Sequence, residues 1–260
     1  MNQYTRSALV IAGGLGLLLM VGFLLELPFV TNLFPWQSSR LSNIFIASIL
    51  AASSIPVIWI GLSGEAAAAV GGALDFGLMY TGIGVFTLQL YAQDSSRVPM
   101  LIFGLGSFAS VALCIFLFFW ARRFPFRDQR AMPRVVRLSF AVFALVLIGV
   151  GGAMALKTPN IFPWAISAEV SVIYGWIFLG AACYFLYAIF NPQWDNARGQ
   201  LLGFLAYDLV LIIPFLAHFA NVRPEQWFNL AFYIAVLIYS GGLAIYYLFV
   251  NPATRFTKLD

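Results

Sequence analysis

The sequence predicts an all-α integral membrane protein, a bundle of eight transmembrane helices with both termini on the cytoplasmic side. Three observations predict it. The chain of 260 residues is 62% apolar and only 9% charged, whereas charged residues make up about a quarter of a soluble domain. Its apolar residues fall in eight blocks of roughly 20 to 25, each long enough to cross about 30 Å of hydrocarbon. Its basic residues collect in alternate connections, as the positive-inside rule requires of a chain that crosses a membrane repeatedly.

Taken in order, the spans lie near residues 7–25, 41–62, 66–91, 100–121, 135–156, 168–190, 201–220 and 228–250. The first follows Arg6 but is too long for a secretory signal and lacks a small-residue cleavage site, so it reads as a retained span. No lipid-attachment signal is expected either. A membrane barrel would alternate apolar and polar residues over short segments, and stretches such as 101–120 do not. Arg6, Arg122, Arg123, Arg127, Arg130, Arg134, Arg137, Arg198, Arg255 and Lys258 fall on one side, against Arg40, Arg97, Lys157 and Arg223 on the other. The richer side is therefore read as cytoplasmic. Compact loops suggest the cytoplasmic membrane of a bacterium.

A second organising feature is repetition. Asn32, Leu33, Phe34, Pro35 and Trp36 return as Asn160, Ile161, Phe162, Pro163 and Trp164, each time before an even-numbered span. Tyr91, Ala92, Arg97, Val98 and Pro99 find an echo in Phe219, Ala220, Arg223 and Pro224. These pairs suggest two four-helix repeats, residues 1–121 and 135–260, joined by a basic cytoplasmic linker, 122–134. Four crossings return the chain to its starting side, so the repeats would be parallel rather than inverted.

Few residues in the spans could carry chemistry. Asp75 in the third span and Asp208 in the seventh stand seven to ten residues from the cytoplasmic end, one in each half. An intramembrane carboxyl is expensive and by default marks an ion path, a ligand contact or a polar helix clamp. The bland alternative is a packing seam, since Asp75 shares a helix face with Ala68, Gly72, Met79 and Gly82. Pro56 and Pro214 could kink the second and seventh spans. The two Phe-Pro-Trp motifs, Phe34, Pro35, Trp36 and Phe162, Pro163, Trp164, would set their indoles at headgroup depth on the outer side. An outer aromatic mouth for lipid, pigment or quinone is the sharper alternative. Arg40 and Glu169, just past the motifs, could pair across the axis between the halves.

His218 is the single histidine, too few to ligate a b-type haem within the chain. It reads first as a hydrogen-bonding residue. No group of His, Cys and carboxylates has metal-ligand spacing, and no haem site is evident, so the cofactor is unknown. Cys114 and Cys183 lie in apolar blocks and are expected to stay unpaired. The basic, aromatic stretch from Arg122 to Arg127 could touch anionic headgroups, but setting topology explains it equally well. Nucleic-acid binding has no support.

Short loops leave no room for an extramembrane catalytic domain. The leading expectation is a non-catalytic accessory or scaffolding subunit of a larger membrane assembly, contacting lipid, pigment or quinone, with the lipid bilayer and other membrane subunits or hydrophobic ligands as its partners. A small transporter or channel using Asp75 and Asp208 is the second. The third is an intramembrane lipid or isoprenoid enzyme with those carboxylates as acid and base.

Overall fold

The computed structural model describes residues 1–256; Lys258, counted above among the cytoplasmic basic residues, lies outside the described residues. Eight long helices are present among the described residues: α1 (Gln3–Leu24), α2 (Arg40–Ser63), α3 (Ala69–Gln93), α4 (Val98–Ala121), α5 (Arg134–Ala155), α6 (Ala168–Phe190), α7 (Trp194–His218) and α8 (Trp227–Ile245). Each is long and apolar enough to span a bilayer, and the chain is a multi-pass helix-bundle membrane protein. One-turn 3₁₀ segments lead into α3 and α8, and α8 runs on through a π turn at Tyr246–Val250.

Local chemistry sets the helix ends. Ser39 and Ser167 cap α2 and α6, each side chain accepting from the backbone N–H three residues on, that of Ser42 or Val170. Each serine stands three residues after the tryptophan of its motif. Gly64 ends α2 in the left-handed region at φ 80°, the conformation that favours glycine at this position. Two starts fall earlier than hydropathy places them. Asn2 caps α1, which begins at Gln3, and α7 begins at Trp194 instead of near residue 201. In α7 the reason is burial: Trp194, Asp195 and Asn196 are polar enough to read as loop, yet they sit inside the protein and coil there.

Hairpin neighbours pack together, α1 with α2, α3 with α4, α5 with α6 and α7 with α8; two further seams, α3 with α6 and α2 with α7, join the hairpins. Of these six seams α2, α3, α6 and α7 each share two, which places them inside. α6 buries twelve residues and α1 only three, which fixes α1 as peripheral. Outer helices turn residues such as Leu138 and Leu145 outward, where lipid would be their solvent.

Close backbone approach defines the seams. A Cβ added at Gly175 would stand 2.7 Å from the Gly151 carbonyl, so α5 and α6 touch backbone to backbone. Both prolines lie inside continuous helices. Pro56 leaves the Ala52 carbonyl without its helical donor, and that carbonyl faces Gly203 of α7, 3.0 Å from where a Cβ would be. The proline thus falls at a helix contact.

The centre of the bundle is aromatic. The Phe45 ring lies 4.6 Å from Tyr174, 5.1 Å from Phe162 and 5.9 Å from Phe178, centroid to centroid. Edge-on and tilted pairs of this kind add stabilisation beyond area burial, about 0.5–1.5 kcal/mol each. A second cluster, around Phe140, Phe185, Trp194 and Leu201, fills the end of the bundle nearest the linker.

Candidate functional site

Three polar regions interrupt this apolar interior: the spans themselves, the end carrying the two Phe-Pro-Trp motifs, and the end carrying the linker.

Within the spans, Asp75 and Asp208 do not meet on one seam. Asp75 packs against α6, where a Cβ on Gly180 would stand 2.6 Å from the Asp75 carbonyl and 2.7 Å from its Oδ1. Asp208 packs against α8. Ser240 donates its hydroxyl to Asp208 Oδ2 at 2.9 Å, and Gly241 leaves the space beside that oxygen. Asp208 Oδ1 is buried with no hydrogen-bond partner. The two positions are also less alike than spacing from the helix ends suggests. Because α7 starts at Trp194, Asp208 sits past the middle of its helix while Asp75 sits in the second turn of α3. Next to Asp208, the Tyr207 and Tyr233 hydroxyls hydrogen-bond each other across α7 and α8.

At the motif end the indoles are not at the lipid boundary. Trp36 and Trp164 are 9% and 6% exposed, and both point into the protein. Each donates to a side chain at the start of a helix distant in sequence. Trp36 donates to Glu169 Oε2 at the start of α6 (2.7 Å), and Trp164 donates to the Ser42 hydroxyl at the start of α2 (3.0 Å). A buried indole N–H needs an acceptor, and here the helix starts supply it. The expected pairing of Arg40 with Glu169 is not formed. Arg40 pairs with Glu26 at 3.1 Å, and Glu169 instead takes a two-pronged contact from Arg97 at 2.7 and 2.9 Å. Geometry decides it, because Arg97 precedes α4 and reaches Glu169 in the planar, bidentate orientation that guanidinium favours.

Of the other residues singled out from the sequence, His218 joins the second motif, together with Gln226 and Asn229. His218 Nε2 lies 3.0 Å from the Pro163 carbonyl, Gln226 donates to the Phe162 carbonyl, and Asn229 donates to those of Asn160 and Ile161. The histidine is therefore engaged by backbone. Phe34 and Pro35 are half-buried beside Trp36, and Phe162 and Pro163 are buried.

At the linker end lies a cluster that hydropathy hides. Residues 122–133 do not hang free. The Arg127 amide donates to Glu65 Oε2 at 3.0 Å and the next amide, Asp128, donates to Asp195 Oδ2 at 2.9 Å. Trp194 donates its amide to the Arg130 carbonyl, and Met132 donates to that of Pro192. Arg198 approaches Asp128 at 3.1 Å and Asp195 at 2.8 Å, the latter off the hydrogen-bonding direction. Glu65 and Asp195 are 2% exposed each. Burial, together with the facing Asp195 carboxyl, pushes Glu65 up to about 7 against the pull of Arg127. The Arg130 guanidinium holds Asp128 below the usual carboxylate range. A signal for this cluster exists in the sequence: Asp195 and Arg198 are spaced i, i+3, and Glu65 stands alone between two spans.

Among the described residues, no group of three or more His, Cys, Asp and Glu is arranged to hold a metal ion, and Cys114 and Cys183 are unpaired. Comparison with protein-family models, with curated proteins and with solved structures finds no match to this chain.

Proposed function

We propose that this protein is a non-catalytic accessory or scaffolding subunit of a larger membrane assembly, working through helix and lipid contact. One observation carries the reading: Asp75 and Asp208, the carboxyls set within the spans, lie on separate close-packed seams, against Gly180 of α6 and Ser240 of α8. Acid–base chemistry on a lipid or isoprenoid needs both within reach of one substrate. Helix contact needs only the seams. The test is purification in mild detergent followed by mass measurement of the intact particle. A stoichiometric membrane partner is the expected result; a clean monomer at native expression level would sink the proposal.

A transporter is the second reading, and Asp208 favours it. A buried carboxyl oxygen without a partner beside a tyrosine pair is the arrangement an intramembrane proton or ion path uses. Reconstituted protein should then show pH-dependent flux that Asp208→Asn removes, and flux unaltered in that variant ends the idea.

We further infer that the chain is a duplication of a four-helix unit, with both termini and the linker in the cytoplasm of a bacterial cell. Exchange of halves would carry α1, α2, α3 and α4 onto α5, α6, α7 and α8. Under that exchange the α2–α7 seam becomes the α6–α3 seam, and every hairpin becomes a hairpin. The spacing from Trp36 to Trp164 also carries Ser39 onto Ser167, and the close contact of Asp75 with Gly180 onto that of Gly203 with Ala52. Asp75 thus corresponds to Gly203, so the two acidic residues arose separately in this scheme. Labelling of engineered cysteines in the linker from either side of sealed vesicles tests the orientation.

A further inference from the structure

The linker-end cluster holds more unsatisfied polar atoms than the rest of the described protein together. Glu65 Oε1, Gln193 Oε1, Trp194 Nε1, Asp195 Oδ1, Asn196 Oδ1 and Arg198 Nε are all buried without a hydrogen-bond partner, and the one other such atom is that of Asp208. Unpartnered groups of this kind cost free energy unless water or a proton completes them. Glu65 and Asn196 are 2% and 0% exposed, so the unsatisfied atoms point inward rather than at solvent.

The arrangement of the two carboxyls is specific. Adjacent amides of one strand of linker, Arg127 and Asp128, clasp a carboxyl from the turn between α2 and α3 and a carboxyl from the start of α7. Held by adjacent amides, the Glu65 and Asp195 carboxyls lie side by side, each with its other oxygen buried and unpartnered. Two carboxylates at that separation repel strongly, whereas one proton between them turns the repulsion into a hydrogen bond. The guanidiniums do not remove the conflict. Arg198 is divided between Asp128 and Asp195, Arg130 is spent on Asp128, and Arg127 turns its side chain to the Ser63 carbonyl. From α1, Arg6 bonds the Gly61 and Leu62 carbonyls beside Gly64. On the far side Phe256 lies against Arg198, and Tyr247 against Trp194. No histidine enters the cluster.

We propose that the linker is a proton-operated latch: one proton shared by Glu65 and Asp195 lets the Arg127 and Asp128 amides hold both carboxyls at once, and loss of that proton frees the linker from the Glu65 turn. The Glu65 side is the one released, because α7 keeps two further ties to the linker, through Trp194 and through Met132, which bonds just ahead of α7. The ligand of the site is a hydrogen ion with the water that completes the unpartnered atoms. In the folded chain Glu65 keeps its proton up to about pH 7, while in an unfolded chain it releases it near the ordinary value of 4.5. The native state therefore binds more protons between these limits, and the closed latch loses stability as pH rises through them.

Hydrogen–deuterium exchange of the full chain in lipid nanodiscs reads the latch directly. After correction for the chemical exchange rate, opening of linker peptides containing Arg127 and Asp128 should rise by up to about tenfold per pH unit between about pH 4.5 and about pH 7 and level off above that range. Glu65→Gln keeps an amide acceptor but cannot ionise, and it should make the profile flat. Asp195→Asn leaves Glu65 raised by burial alone, so it should narrow the rise toward lower pH, and it serves if Glu65→Gln does not fold. A flat wild-type profile overturns the latch. So does a pH-dependent profile that survives in folded Glu65→Gln or is unchanged in Asp195→Asn, because the proton would then sit elsewhere.

Discussion

Trp36 and Trp164 stand at the same point of the same short motif, yet their surroundings differ. Trp36 donates to a carboxylate, Glu169, that also takes both arms of Arg97, and the Phe34 ring beside it is half-buried. Trp164 donates to a neutral hydroxyl, Ser42, and lies 4.4 Å from Phe162 and 5.5 Å from Phe215 within the central aromatic cluster. The second copy is also fastened by His218, Gln226 and Asn229 through its backbone carbonyls. Among the described residues no side chain outside the first copy bonds the carbonyls of Phe34 or Pro35. A five-residue motif thus fixes a turn, a cap and the direction of an indole, while the helices that follow decide how deep it sits. One copy is held by packing and the other by charge.

The largest effect follows from packing. Trp164→Ala removes a buried indole from the cluster and leaves a cavity among rings that cannot all collapse, at a cost of about 3–5 kcal/mol. Reversible unfolding in mixed micelles measures it. A loss below about 1 kcal/mol would mean that the second copy is not the packed one, and the comparison fails.

A smaller effect separates the two hydrogen bonds. Trp36→Phe keeps most of the ring but deletes a donor to a carboxylate, a kind of bond worth about 1.5–3 kcal/mol. Glu169 is 31% exposed, so solvent takes part of its charge and the low end of that range is expected. Trp164→Phe deletes a bond to a hydroxyl, worth about 1 kcal/mol. Equal losses in the two variants would show that charge plays no part at Trp36.

Much of this was legible in the sequence, and the rest was not for definite reasons. Eight spans follow from hydropathy alone, since an apolar segment in lipid has to satisfy its own amides by coiling. The motif copies are visible as letters. Their burial is not, because tryptophan suits a membrane interface and a buried seam equally well, and only the neighbour across the seam distinguishes them. The partner of Glu169 is hidden for a related reason: Arg40 is near in the sequence order of the motifs, whereas Arg97 is near in space. Asp75 and Asp208 lie on helices, but depth depends on where a helix starts, and α7 starts inside a buried polar cluster. Glu65 and Asp195 are hidden from hydropathy, which treats any charged residue between spans as solvated. A linker folded back over them makes that assumption fail.

The smallest effect sharpens the account of the first copy. Arg97→Gln removes the bidentate partner of Glu169 but leaves the Trp36 indole as a donor to the same carboxylate. Both side chains of the pair are about one-third exposed (31% each), so water and salt screen the attraction and the loss is about 0.2–1 kcal/mol. Salt dependence distinguishes the two contributions. The Debye length is about 10 Å at 0.1 M salt and about 3 Å at 1 M, so the difference between wild type and Arg97→Gln should shrink as salt is added. The Trp36→Phe difference should persist, because its hydrogen bond is short-ranged and sheltered. If both differences vanish together in high salt, Trp36 is held by the ion pair rather than directly by Glu169, and charge at this end acts through arginine alone.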